Sequence, residues 1–187
     1  CFCYFGDGAA NQGQVYETFN MAMLGSLPIV FGIENNKYAM GTSTERAAAT
    51  TDFSQRGASF DIPGEQVDGM DVRAVKAAGE RVVEHMRAGN GPFILEMKTY
   101  RYRGHSMSDT AKYRTREEVD KVRSEQDPIE QVRARLIAGG RVSEDELKTI
   151  DRDIRAIVNV SAEFAQNDPE PEISELWTDV LVPVSAA

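Results

Sequence analysis

Positive charge is the first shortage in this 187-residue chain. Its 21 Lys and Arg stand against 30 Asp and Glu, for a net charge of -9 and a pI near 4.8. Neutralising phosphate or an anionic membrane surface takes clustered Lys and Arg. No such cluster occurs, which argues against nucleic acid and against a membrane surface as partners. Long apolar runs are also missing. The longest, Leu27 to Ile33, is interrupted by Pro28 and falls far short of the roughly 20 residues that span a bilayer. Cysteine is scarce, with only Cys1 and Cys3. Their period-two spacing puts both on one face of a strand, badly placed to bridge each other, so reduced thiols in a cytosol-like compartment are expected. No Met, cap, signal segment or linker precedes the first apolar strand, so the chain reads as the later part of a longer polypeptide. What is present, 41% hydrophobic and 27% charged residues, suits a globular domain with a sizeable core and excludes disorder and a collagen-like fibre.

The chain alternates strand and helix. Residues 1–5 form a short aromatic-rich strand closed by Gly6-Asp7-Gly8. Val15, Phe19, Ala22 and Met23 recur at helical spacing over 14–24, and Gly25 stops that helix. Residues 28–34 are continuously apolar up to Glu34, as in a parallel strand buried on both faces. These segments make one β-α-β unit with a right-handed crossover. After a Gly/Ser/Thr/Ala-rich stretch over 41–63, Val67 marks another strand and Asp71 caps a helix carrying Val72, Val75, Val82, Val83 and Met86. A strand is expected over 93–102 and a loop over 101–116. From Pro128 the pattern is helical: Ile129, Val132, Leu136 and Ile137, then Ser143 to Glu146 as a capping box ahead of Leu147, Ile150, Ile154, Ile157 and Val158. The acidic connector AQNDPEPE leads to a last short helix around 176–181. The expected fold class is α/β, a mostly parallel sheet flanked by helices over residues 1–126, with a helical C-terminal extension over 127–187.

Gly6-Asp7-Gly8 and Asn35-Asn36 are separated by 26 residues. In a β-α-β unit both strands run the same way, so Asp7 and Asn36 lie just past neighbouring carboxyl ends, the edge where open α/β sheets bind ligands. A carboxylate and an amide carbonyl are hard oxygen donors, suited to Mg²⁺ or Ca²⁺. Two protein ligands are too few for a closed cage, but Mg²⁺ fills its octahedron with substrate phosphate and water. Gly8-Ala9-Ala10 lead into a helix whose free N–H groups and dipole favour an anion. A metal-bridged diphosphate fits both features. Gly-Asp-Gly alone is a common turn and Asn-Asn alone a common loop; their joint occurrence at two parallel strand ends is what carries the reading.

The GDG–NN spacing resembles the signature of the thiamine diphosphate-dependent 2-oxo acid dehydrogenase family. The flanking words GDGAANQGQVYETFNMA, ENNKYAMGTSTERAAATTDF, VDGMD and TYRYRGHSMSD look like its branch of pyruvate dehydrogenase first-component alpha subunits. The likeness runs from residue 1 to about residue 180 and matches the C-terminal portion of such a subunit, with an upstream third or half missing. It implies an incomplete thiamine diphosphate-binding fold in which Asp7, the Asn36 side chain and the Tyr38 backbone carbonyl bind Mg²⁺ while Gly8 and Ala9 contact the diphosphate. It also implies that His105 lies on a loop over the cofactor entrance, ordering the cofactor and assisting acetyl transfer to a lipoyl group. His85 has no such support and reads as a surface residue. Ser43 and Ser106 match positions of regulatory serines in mammalian members. A third such position falls at Thr110-Ala111-Lys112, where this chain is one residue shorter, so phosphorylation control is not expected to carry over intact.

The family chemistry requires a carboxylate against the cofactor's aminopyrimidine ring, and no acidic residue here stands in a context that marks it as that group. The resemblance assigns it to a beta subunit. The implied assembly is α2β2, active in the oxidative decarboxylation of pyruvate, with the lipoyl domain of a dihydrolipoyl acetyltransferase as acceptor. The location would be cytoplasmic in a bacterium or the mitochondrial matrix in a eukaryote. The alternatives are a related 2-oxo acid or acetoin dehydrogenase subunit, and a cofactor-free interaction fragment. The loop over 101–116 combines Arg101, Arg103, Arg114 and Arg116 with His105 and no apolar stripe, so it is expected to be mobile without ligand.

Overall fold

A computed structural model describes residues 1–178, divided into two compact units, residues 1–134 and the described residues from 135 onward. The first unit is built on a four-stranded parallel sheet. Strand β1 (Phe2–Gly6) pairs with β2 (Val30–Asn35), β2 with β6 (Phe93–Lys98), and β6 with β5 (Gly64–Asp68), giving the order β1-β2-β6-β5. The α/β class read from the sequence is the observed one. Helix α1 (Gly13–Leu24) makes the crossover from β1 to β2, and α3 (Val72–Arg87) the one from β5 to β6. A two-stranded hairpin, β3 (Tyr38–Ala39) with β4 (Thr42–Ser43), follows β2 and runs into the one-turn helix α2 (Thr44–Ala47).

Both faces of the two central strands are buried, which explains the unbroken apolar run of β2. On one face Phe31, Ile33 and Ile94 pack against Phe19 and Ala22 of α1 and against Phe53 and Ile62. The Phe19 ring meets Phe31 edge-on at 4.7 Å. On the other face Val30, Leu95 and Met97 pack against Ala78, Val82 and Met86, the stripe of α3. That helix begins where Asp71 accepts the Arg73 N–H.

Several boundaries differ from those read in the sequence. Strand β6 stops at Lys98 rather than Tyr102, because its neighbours end there: Lys98 lies opposite Asn35 of β2 and Asp68 of β5. A 3₁₀ turn, Ala9–Asn11, separates the Gly-Asp-Gly turn from α1, so Gly8 does not lead directly into that helix. A 3₁₀ segment, Phe53–Phe60, runs through the small-residue stretch and contributes Phe53 to the core. Helix α4 (Arg116–Gln126), started by the Thr115 hydroxyl on the Glu118 N–H, was not anticipated, since its sequence REEVDKVRSEQ carries almost no apolar stripe. His85 is half-buried on α3, with its ring edge-on to Phe93 at 5.3 Å rather than simply solvated.

Helix α5 (Pro128–Ala138) follows. In the second unit α6 (Glu144–Asn167) carries the capping box in full: Ser143 Oγ accepts the Glu146 N–H, and the Glu146 carboxylate accepts the Ser143 N–H. In place of the last expected helix is a 3₁₀ turn over Ile173–Trp177, and the remainder of that expectation lies outside the described residues. Among the described residues no helix is long and apolar enough to cross a membrane.

Candidate metal and anion site

Strands β1 and β2 end side by side, with Gly6 opposite Glu34. Asp7 therefore follows one carboxyl end and Asn36 the next. The Asp7 carboxyl is buried, at 3% exposure. Desolvation pushes its pKa above the usual Asp value; hydrogen bonds from its own backbone N–H and that of Asn36, then the Arg101 and Arg114 charges, pull the other way. The two residues singled out by spacing thus meet, through the Asn36 N–H on the Asp7 carboxylate.

The turn after β2 is made of consecutive side-chain-to-backbone bonds. Asn35 Oδ1 accepts the Lys37 N–H at 3.0 Å, Asn36 Oδ1 accepts the Tyr38 N–H at 3.2 Å, and Lys37 takes a left-handed φ of 70°. The hairpin that follows returns to the Gly-Asp-Gly turn. A Cβ on Gly8 would lie 2.5 Å from the Ala39 Cβ, so only glycine permits that approach. Gly8 and Ala9 are half-buried beneath it.

Sequence reasoning missed the two guanidinium groups that close this corner. Arg114, whose side chain is 3% exposed, donates to the Asn36 carbonyl at 2.6 Å and to the Arg101 carbonyl at 2.5 Å. It sits over the Tyr100 ring at 4.2 Å and the Tyr38 ring at 4.7 Å. Arg101 donates to the Tyr38 carbonyl at 3.1 Å, to the Met40 carbonyl at 2.7 Å and to the Tyr113 hydroxyl at 2.7 Å. Tyr38 and Tyr113 stack with centroids 4.5 Å apart. The only sequence signal was four arginines and three tyrosines within residues 100–116; their partners are backbone carbonyls distant in sequence, which leave no motif.

The loop between Arg101 and Arg114 is organised by Asp109. Its carboxylate accepts the His105 N–H at 2.7 Å, the Ala111 N–H at 2.9 Å and the Tyr113 hydroxyl at 2.8 Å. These bonds hold its pKa below the usual Asp value. His105 is exposed. Among the described residues no hydrogen bond, ion pair or ring contact joins it directly to Asp7, Asn36 or Tyr38; its tie to that corner runs through Asp109 and Tyr113, whose ring stacks on Tyr38.

Among the described residues no group of three His, Cys, Asp or Glu side chains could hold a metal. A cation at this corner would depend on one carboxylate, the Asn36 amide oxygen and the Tyr38 carbonyl. That donor set fits a hard, incompletely caged ion sharing oxygens with a bound phosphate. The carbonyl of Tyr38 already accepts from Arg101 and keeps a second lone pair. The close Gly8–Ala39 approach supplies a small-residue cradle beside it.

A family model described as "Dehydrogenase E1 component" matches residues 1–174. A protein of Rhizobium meliloti (strain 1021), described as the pyruvate dehydrogenase E1 component subunit alpha, is 70% identical over 179 residues, covering 96% of this chain and 51% of the relative. The same description belongs to a Zymomonas mobilis protein, 56% identical over 96% of this chain and 50% of the relative. A testis-specific mitochondrial form from Rattus norvegicus is 51% identical over 94% of this chain and 45% of the relative. The chain thus spans about half the length of the curated relatives it matches.

Proposed function

We propose that this chain, which belongs to the dehydrogenase E1 component family, contributes the metal- and diphosphate-binding part of an alpha subunit of pyruvate dehydrogenase (acetyl-transferring). The observation that carries the proposal is the meeting of Asp7 and Asn36 at two parallel strand ends, with the Asp7 carboxyl buried and facing the Asn36 N–H. Asp7, Asn36 Oδ1 and the Tyr38 carbonyl would hold Mg²⁺; Gly8 and Ala9 would meet the diphosphate of thiamine diphosphate. The bound cofactor supplies a nucleophilic carbon and an electron sink for the loss of carbon dioxide from a 2-oxo acid. The chain's own residues bind and orient that group. Residues 1–126 form the binding part in this reading and 127–187 an extension.

A beta subunit would supply the carboxylate against the aminopyrimidine ring, in an α2β2 assembly, and His105 would act on the side where a lipoyl group arrives as acceptor. Working compartments are the bacterial cytoplasm or, for a eukaryotic relative, the mitochondrial matrix. The test is titration of the assembled protein with thiamine diphosphate in the presence of Mg²⁺. Asp7→Ala removes the only charged protein ligand, so affinity should fall by at least tenfold, each factor of ten corresponding to about 1.4 kcal/mol. Equal affinity in variant and parent would refute the site; no Mg²⁺-dependent binding by the parent would favour a cofactor-free interaction role.

A further inference from the structure

At the centre of the sheet sits a carboxylate that the candidate site does not use. Glu96 lies in β6, 0% exposed, between β2 and β5. Its Oε1 accepts from Asn35 Nδ2 at 2.7 Å, and its Oε2 accepts from the Ser54 N–H at 2.9 Å and from Gln66 Nε2 at 2.9 Å. A buried charge costs several kcal/mol to desolvate unless it is fully bonded, and here both oxygens are engaged.

The directions of these bonds are forced. The backbone N–H of Lys37 can only donate, so Asn35 must turn Oδ1 towards it at 3.0 Å. That leaves Nδ2 aimed at Glu96. The backbone N–H of Ser54 can only donate as well; it is shared between Glu96 Oε2 at 2.9 Å and Asp52 Oδ1 at 3.1 Å, so Glu96 offers it an acceptor on its other side. Both sides of residue 96 therefore demand an oxygen, which a carboxylate has and an amide does not. We propose that Glu96 is a positioning residue for the candidate metal site. Through Asn35 it fixes the Lys37 N–H and with it the turn that presents Asn36 Oδ1 and the Tyr38 carbonyl beside Asp7. The metal part of this inference rests on the function proposed above; the control of the turn does not.

Glu96→Gln preserves size and removes one acceptor. With its amide nitrogen towards Ser54 and Gln66, a donor faces the Ser54 N–H, although Gln66 can turn its own oxygen to it. With the nitrogen towards Asn35, that side chain must flip and set Nδ2 against the Lys37 N–H. The first orientation sets an amide N–H against the buried Ser54 N–H; the second transfers the conflict to the exposed turn, which can yield, so the Asn35–Lys37 link is the one expected to break. The exchange Asn35→Asp with Glu96→Gln restores every bond: the Gln amide donates to the Asp, whose other oxygen receives the Lys37 N–H. Gln66→Ala is the control, because it removes a Glu96 partner that does not lead to the turn.

Two measurements on the assembled, intact protein test this at a temperature well below melting. In the metal-free state, the Lys37 amide should exchange with solvent at least tenfold faster in Glu96→Gln, at the parental rate in the double exchange, and near the parental rate in Gln66→Ala. With thiamine diphosphate present, the Mg²⁺ concentration for half-maximal binding should rise at least tenfold in Glu96→Gln and return to within about threefold of the parent in the double exchange. Should Glu96→Gln melt earlier but keep parental Lys37 exchange and Mg²⁺ half-saturation, Glu96 is a structural tie only and the proposal is overturned. If the single variant does not fold, the double exchange decides, and slow Lys37 exchange with weakened Mg²⁺ response there overturns it too. Altered Lys37 exchange in a protein whose parent binds no cofactor would sink the proposed function and leave the control of the turn standing.

Discussion

Burial raises the Asp7 pKa, so the metal-free fold favours the neutral carboxyl. Stability from that preference is complete below the ordinary Asp value of 3.8 and is lost as pH rises through the higher folded value. Asp7→Asn imitates the neutral form. In the presence of a chelator it should melt above the parent at pH 7, and the advantage should vanish as pH falls below about 3.8, where the parent is neutral in both states. The same variant should bind thiamine diphosphate with Mg²⁺ more weakly, because it replaces a charged ligand by an amide. A variant that is less stable at pH 7 without metal would contradict the assignment of desolvation as the leading cause. The placement of Asp7 and Asn36 at neighbouring strand ends was legible in the sequence because a turn and an amide pair close two parallel strands a fixed distance apart. Arg101, Arg114 and Glu96 were not, since each acts on a partner reached only when β6 is inserted beside β2.

At the scale of elements, the parts that announced themselves were those whose signal is local. The capping box of α6 is one: Ser143 and Glu146 are three residues apart and bond reciprocally. Ser143→Ala should cost about 1 kcal/mol, read as a lower thermal midpoint of the helical circular dichroism signal. Helix α4 gave little signal because it lacks an apolar stripe, and the end of β6 is set by where its neighbours stop. The loop over 101–116 was read correctly as irregular, but its anchoring was not legible. Arg114 joins the Asn36 and Arg101 carbonyls while lying against the Tyr38 and Tyr100 rings. A lysine has no planar fork to span the two carbonyls while lying flat between the rings. Arg114→Lys should therefore destabilise the first unit by about 2 to 3 kcal/mol and speed proteolysis between residues 101 and 116. Thiamine diphosphate with Mg²⁺ should slow that cleavage in the parent assembly, and an unchanged rate at saturation would show that the loop is not ordered by the cofactor.

For the whole molecule, the composition limits were informative and the thiols follow from them. Cys3 on β1 and Cys1 just before that strand are both free and exposed. Titration of this native chain with a thiol reagent should give two equivalents without denaturant; fewer would mean that β1 is covered. The sheet order has a further consequence during biosynthesis. Strand β6, one of the last strands made, lies between β2 and β5, which are not hydrogen-bonded to each other. Roughly 60 residues separate the end of β2 from the start of β6, which at ribosomal speed is about 3 to 12 seconds. Throughout that interval the nascent chain presents the raw hydrogen-bonding edge of β2, the apolar segment VFGIEN, to the crowded surroundings of the ribosome. The arrival of one strand then joins β2 to β5 and buries Glu96 together, so the same event that ends the window for misassociation at that edge also sets the geometry of the turn at Asn36.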